Sequence, residues 1–286
     1  MAYTGPNPTR NTGDVILAAD VNNLNDGVTL ALALLSGLVV APATGMLMRY
    51  RADDIAQANS TPVASWPESS GHSLPAAVQA TSGNQPTLLT NSLNGHSVVS
   101  FNGATNFMTL SGTALAVAQS RTALGIFIAY YYPTTAAGTR TLFGLSNGTL
   151  ATQTRASVYH RDPTTFMGAG GRRLDADTGS FLSTGVVSTP ASAEVITAAF
   201  DYTNADLYVY RNGTQIGLNS TWQTAGSTSN TASLAGTIGA NLAGAAEWCT
   251  VRIAEILVYS AIDAGTRAAV DTYFQLTYGI TMADAA

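Results

Sequence analysis

The stretch from Trp66 to Phe107, WPESSGHSLPAAVQATSGNQPTLLTNSLNGHSVVSFNGATNF, reads as turn, strand, turn, strand, with almost nothing titratable in it. Gly71, the Gln85-Pro86 pair, Asn94-Gly95 and Asn102-Gly103 are turn residues: Gly and Asn reach positive φ at little cost, and Pro presets its own φ. Between two of these turns, Ser97 to Phe101 is a short β-branched and aromatic run, which predicts a strand. The pattern continues in both directions. Upstream, MLMRYRADDI predicts a strand from Met46 leading into Asp53-Asp54. Downstream, Ala123 to Tyr132 is a long apolar strand and Thr141 to Leu145 another. Val195 to Tyr202 and Asp206 to Tyr210 flank Thr203-Asn204-Ala205, and Asn212-Gly213 is a strong hairpin turn into Gln215-Ile216-Gly217. Thr237 to Ala240 and Thr250 to Ser260 complete the set. The last segment predicts a helix capped by Asp263, with Gly279 just past its end where a left-handed residue is needed.

Composition agrees with a β protein whose loops are polar but uncharged. Only 10% of the 286 residues are charged, against roughly 25% in an average soluble domain. All twelve basic residues are Arg. A GC-rich genome accounts for this, and so does selection for the bidentate contacts that Lys does not make. A net charge of −5 supplies no basic field for DNA or RNA, so no nucleic-acid partner is expected. The single cysteine, Cys249, excludes an intrachain disulfide framework and reads as a small buried apolar residue. MAYTGPNPTR is polar and interrupted by two prolines, so it does not read as a signal peptide; synthesis in the cytoplasm is expected. The apolar run Leu30 to Val40 is too short to span a bilayer.

The N-terminal region has a different period. Val21, Leu24, Val28, Ala31, Leu35 and Leu38 alternate in steps of three and four residues, the repeat of a coiled-coil seam. A helix that oligomerises or anchors through Val21, Leu24, Val28 and Leu35 is one reading; a helix packed on its own domain is the other. Pro42-Ala43-Thr44-Gly45 reads as a linker, so the expected division is an N-terminal segment, 1–42, and a β domain, 43–286.

Two resemblances sharpen these expectations. The order Trp66, Glu68-Ser69-Ser70-Gly71, Gln85-Pro86, Asn94-Gly95, strand, Phe101-Asn102-Gly103 resembles the opening of laminin-G-like, concanavalin A-like jelly-roll modules. The ending is also similar to that family: a strand with Ile253-Ala254-Glu255, a Tyr259-Ser260 turn, and a helix running to Tyr278-Gly279-Ile280. This implies an antiparallel jelly-roll β-sandwich, preceded by an extension containing one helix and closed by a short C-terminal helix. It also implies binding to surfaces or sugars. The stretch Gly13 to Leu24 resembles the N-terminal segments of some phage fibre and decoration proteins. That implies a homo-oligomer, a trimer in preference, on a virion surface, with the major capsid protein or another virion protein as partner. A host-surface glycan is the further partner it suggests.

Catalysis is not expected. Glycoside hydrolysis, which this fold supports elsewhere, needs two carboxylates about 5–10 Å apart. Glu194, Glu247 and Glu255 stand alone in sequence, and the nearest acidic pairs are Asp53-Asp54 and Asp175-Asp177, the latter in an apparent loop. Glu255 is expected to face inward with Ile253 and Leu257, paired with Arg252 or Arg49, because an unpaired buried carboxylate is costly. His72, His96 and His160 are far apart and beside turns, so each is expected to be exposed and none to hold zinc. Where the family carries Phe-Asp-Gly this chain has Phe101-Asn102-Gly103, and Asn106 takes a following acidic position; amides in place of carboxylates predict no calcium there. No metal or cofactor is expected. Glycan contact would use aromatic faces and planar polar groups on loops. Its candidates are Trp222, Tyr159, His160, Arg172 and Arg173, against the plainer reading that Trp222 and Tyr159 pack at the sandwich edge.

Overall fold

A computed structural model of the chain describes residues 39–133, 139–147, 151–161, 166–241 and 246–283. Contacts divide the chain into two units, Met1–Val40 and Ala41–Ala286, and the architecture that follows is that of the second. The seam positions Val21, Leu24, Val28 and Leu35 lie outside the described residues.

The second unit is a mainly β, antiparallel jelly-roll sandwich of two sheets. Its strands are β1 (Met46–Arg51), β2 (Ser65–Trp66), β3 (Ala77–Val78), β4 (Thr87–Leu93), β5 (His96–Asn102), β6 (Met108–Leu110), β7 (Ala123–Tyr131) and β8 (Arg140–Ser146). They continue with β9 (Thr154–Arg161), β10 (Phe166–Gly171), β11 (Ser180–Val187), β12 (Ala193–Asp201), β13 (Asp206–Arg211), β14 (Thr214–Asn219), β15 (Ala235–Ile238) and β16 (Thr250–Tyr259). One α-helix, α1 (Ala264–Tyr278), follows. The first sheet runs β14-β13-β12-β7-β16-β5-β4, with β1 also paired to β16; the second runs β11-β10-β9-β8-β15-β6-β3-β2.

Alternation explains the core. Leu124, Ile126, Ile128 and Tyr130 of β7 and Ile196, Ala198 and Phe200 of β12 meet Phe143, Leu145, Ala156, Val158, Met167 and Ala169 of the second sheet. Trp66 is fully buried there, with Tyr50 edge-on at 6.0 Å. The other face of the first sheet is covered in part by α1, whose Val270, Tyr273, Phe274 and Tyr278 are buried. That second cover is why β7 and β16 read as continuous apolar runs rather than alternating ones.

One residue of β16 changes what the strand presents. Ile253 pairs with Tyr130 but Glu255 pairs with Ala129, so Ala254 is inserted as a bulge. Val251 and Ile253 face the core before it, and Ile256 and Val258 after it. Glu255 therefore shares the outer face with Leu257, not the inner face with Ile253 as simple alternation predicts. Its partner is Arg49, whose Nε donates to Oε1 at 2.6 Å, and the hydroxyls of Tyr273 and Tyr278 each donate to Oε2 at 2.8 Å. Burial pushes the Glu255 carboxyl pKa up against these three donors.

Candidate functional site

The outer face of the second sheet carries a cleft, and its floor follows from alternation in β9 and β10. Ala156 and Val158 face the core, so Ser157 and Tyr159 face out. Gly168 and Gly170 lie directly opposite these two on β10, and Gly170 also pairs with Phe181 of β11. A Cβ at Gly168 would come within 2.7 Å of the Tyr159 ring, and one at Gly170 within 2.3 Å of the Phe181 ring. Glycine at both positions lets the two rings lie down over the neighbouring backbone. The rings meet edge-on, with centroids 6.0 Å apart.

Thr141 enters the cleft through a second bulge. Thr141 pairs with Tyr159 and Phe143 with Val158, so Leu142 is the extra residue, and Thr141 is turned outward while Phe143 points into the core. Glu247 forms the opposite wall. Its backbone is left-handed, φ 55°, which a residue with a Cβ adopts at a cost. Three contacts hold it. Its carbonyl accepts from Thr141 N at 3.0 Å, and its Oε2 accepts from Thr141 Oγ1 at 2.7 Å and from Asn241 Nδ2 at 2.9 Å. The cleft encloses about 210 Å³, with Thr139 completing the lining. Glu247 is the one charged side chain among the described lining residues. The guanidinium of adjacent Arg140 is engaged with the carbonyl oxygen of Trp248 at 3.0 Å.

Such a surface offers an apolar ring face, hydroxyls and one fixed acceptor. Among the described lining residues Glu247 is the single carboxylate, whereas acid–base cleavage of a glycosidic bond uses two. The other isolated carboxylates hold structure together. Glu194 is buried and accepts from Tyr130 OH at 3.0 Å, from Thr189 N at 2.9 Å and from Arg211. Asp175 accepts from Arg155, and from Asn147 Nδ2 and Thr231 Oγ1, each at 2.5 Å.

Of the five predicted glycan contacts, the structure brings Tyr159 alone to this cleft. Its hydroxyl donates to the Leu182 carbonyl at 3.0 Å. His160, one residue on, takes the opposite face and is fully buried, which corrects the expectation of an exposed ring. Its Nε2 lies 3.2 Å from Tyr130 OH and its ring 4.7 Å from that of Tyr132; burial lowers its pKa to about 3, so it is neutral. Trp222 is 2% exposed, packed on Phe200 and Tyr202 at 5.3 and 5.6 Å, with Nε1 donating to the Ser180 carbonyl at 2.8 Å. Arg172 is buried and donates to the Asp175 carbonyl at 2.6 Å. Arg173 ties down the 224–227 loop through the Ser227 carbonyl at 2.9 Å and Thr224 Oγ1 at 2.7 Å. These four therefore do not form a binding face together.

Sequence reasoning missed Thr141, Phe181, Asn241 and Glu247. The signal that points to this face is the alternate-glycine pattern Gly168-x-Gly170, which leaves one face of a strand bare. At the Asn102 loop, Asn102 Oδ1 accepts from the N–H groups of Ala104, Thr105 and Asn106, each at 3.0 Å. Asn106 Nδ2 donates to the Gln85 carbonyl, also at 3.0 Å. The amides thus close their own loop.

The fold defines a class, the antiparallel jelly-roll β-sandwich. Comparison with known proteins stays at that level. No family model matches the chain, and no curated protein matches it. Among solved structures it is similar to Trypanosoma rangeli sialidase, at 11% identity over 87% of this chain and 38% of that one, with a TM-score of 0.54. The Ruminococcus gnavus IT-sialidase CBM40 bound to α2,3 sialyllactose matches 55% of this chain and 85% of its own at 18% identity, TM-score 0.44. NanB sialidase from Streptococcus pneumoniae, in complex with 2-[(3-chlorobenzyl)ammonio]ethanesulfonate, matches 57% of this chain at 19% identity and TM-score 0.44; this chain spans 26% of it. At these identities the similarity is one of fold.

Proposed function

We propose that this chain is a non-catalytic structural protein of a phage or phage-like particle, of the capsid-decoration or head-fibre type. It displays a lectin-like jelly roll outward from the virion surface to contact host glycans. The observation that carries the non-catalytic part is the single carboxylate, Glu247, among the described residues lining the cleft. The virion setting is supported by the resemblance of Gly13 to Leu24 to phage fibre and decoration segments. In this reading residues 1–42 hold the chain to the major capsid protein or another virion protein and gather it into a trimer. The aromatic cleft favours a second assignment within the same setting, a tail-fibre receptor-binding protein whose main task is glycan contact.

The anchor role is tested by comparing the full chain with a 43–286 fragment in particle co-sedimentation and in light scattering. The full chain is expected to sediment with particles as an oligomer, and the fragment to remain monomeric in the supernatant. A fragment that still joins particles and keeps its oligomeric state would overturn the anchor. Polysaccharide hydrolysis abolished by Glu247→Gln would overturn the non-catalytic assignment.

A further inference from the structure

We propose that the cleft formed by Tyr159, Phe181, Thr141 and Glu247 selects uncharged or amino sugars and rejects sialic acid and other anionic sugars. The inference rests on the carbohydrate-binding reading above and adds to it a place and a ligand class.

The place follows from three features that converge on one face of the second sheet. Phe181 is 37% exposed and lies over Gly170, so a flat apolar surface stands open beside polar groups. That surface matches the C–H face of a pyranose ring, whose burial is favourable where hydroxyls at the ring edge keep partners. The hydroxyls of Thr141 and Ser157 donate to Glu247 Oε2 and to the Gly170 carbonyl and present their lone pairs as acceptors. Glu247 holds its carboxylate at the wall on a left-handed backbone, tied to Thr141 and Asn241. Strained backbone of this kind persists where the surroundings over-determine it, as they do at binding sites.

The ligand class follows from charge. An ionised carboxylate only accepts hydrogen bonds, so the group it meets must donate: a sugar hydroxyl, or better an ammonium. A sialic acid carboxylate would need the reverse, a guanidinium fork or clustered N–H donors. Among the described residues lining the cleft there is no arginine, and the guanidinium of adjacent Arg140 is turned to the Trp248 carbonyl. An anionic sugar here would face Glu247 with no cation among the described lining residues to offset the repulsion.

The test uses the full chain on an array of matched glycans: lactose and N-acetyllactosamine, their 3′- and 6′-sialylated forms, and chitosan oligomers, with hits followed by titration calorimetry. Binding to neutral or amino members is expected, with each sialylated form at least about tenfold weaker than its neutral parent. Phe181→Ala should weaken binding of neutral and amino members about tenfold or more. Glu247→Gln should weaken amino sugars most. Tyr208→Ala, on the other sheet, should leave both unchanged. Thermal melts identify any variant that fails to fold, and Phe181, at the surface, keeps the test open if Glu247→Gln does not fold. Tighter binding of sialylated forms, or binding untouched by both cleft substitutions, overturns the proposal and leaves the carbohydrate-binding reading standing. Binding to no member of the array overturns both.

Discussion

Gly239 meets two constraints at once. Its φ is +83°, and a Cβ there would come within 2.3 Å of Cδ1 of Phe101, a buried ring of the inter-sheet core. Gly239→Ala is expected to cost about 2 kcal/mol, through strain and overpacking together. In a melting experiment that is a fall in Tm of about 4–8 °C for a domain of this size. An unchanged Tm would mean that Phe101 repacks freely. Other left-handed positions were legible in the sequence because the residue types announce them. Asn94-Gly95 adopts φ 49° and 90°, and Asn212-Gly213 φ 47° and 79°, as Asn-Gly hairpin turns do. Glu247 was not legible in this way, since glutamate has no preference for φ 55° and is held there by Thr141 and Asn241. Tyr159 and His160 show the same limit. Both are amphipathic rings on one strand, and only knowledge of which face meets the first sheet tells that one lines a cleft and the other is sealed inside.

The helix α1 shows how far local signals reach at the scale of an element. Asp263 caps it, with Oδ1 accepting from Thr266 N at 2.9 Å, and Gly279 ends it at φ 65°, both as the sequence implies. What the helix rests on was less visible. Its Tyr278 packs edge-on to His96 at 4.9 Å and donates to Glu255, while its carbonyl accepts from Asn94. His96 in turn pairs with Asp53, Nδ1 to Oδ2 at 2.6 Å, and Asp53 Oδ1 accepts from Ser97 N at 2.7 Å. The bond to Asp53 raises the His96 pKa, outweighing burial and the nearby Arg51. Burial pushes Asp53 up, but His96 and the Ser97 N–H outweigh it and hold the carboxyl at about 2. The histidine contribution is therefore complete below about pH 6.5 and is lost as pH rises through the raised folded value. The aspartate contribution is present above about pH 3.9 and is lost as pH falls toward its folded value. Denaturant unfolding of the wild type should thus lose up to about 1 kcal/mol between pH 6 and 8.5, and His96→Gln should lose less. Equal slopes in the two proteins would show that the pair does not couple to folding.

At the scale of the molecule, the lone thiol reports on the sandwich. Cys249 lies in the inter-sheet core with no exposure, and burial pushes its pKa up, away from the reactive thiolate. Native protein at pH 8 should resist iodoacetamide, and one equivalent should react on unfolding in guanidinium, counted by mass spectrometry. Rapid labelling of native protein would contradict the core placement. The sequence by itself determined the class of this protein. Turn residues, β-branched runs and helix caps act through neighbours in the chain, and they predicted most long strands and the closing helix. The tertiary structure decided which residues share a surface. Sheet order places β16 between β7 on one side and β5 with β1 on the other, joining segments far apart in the chain. Bulges at Leu142 and Ala254 then turned Thr141 into a cleft and Glu255 under a helix. A one-residue insertion reverses every facing beyond it, and whether a strand takes one depends on the partner it pairs with, which local sequence does not name.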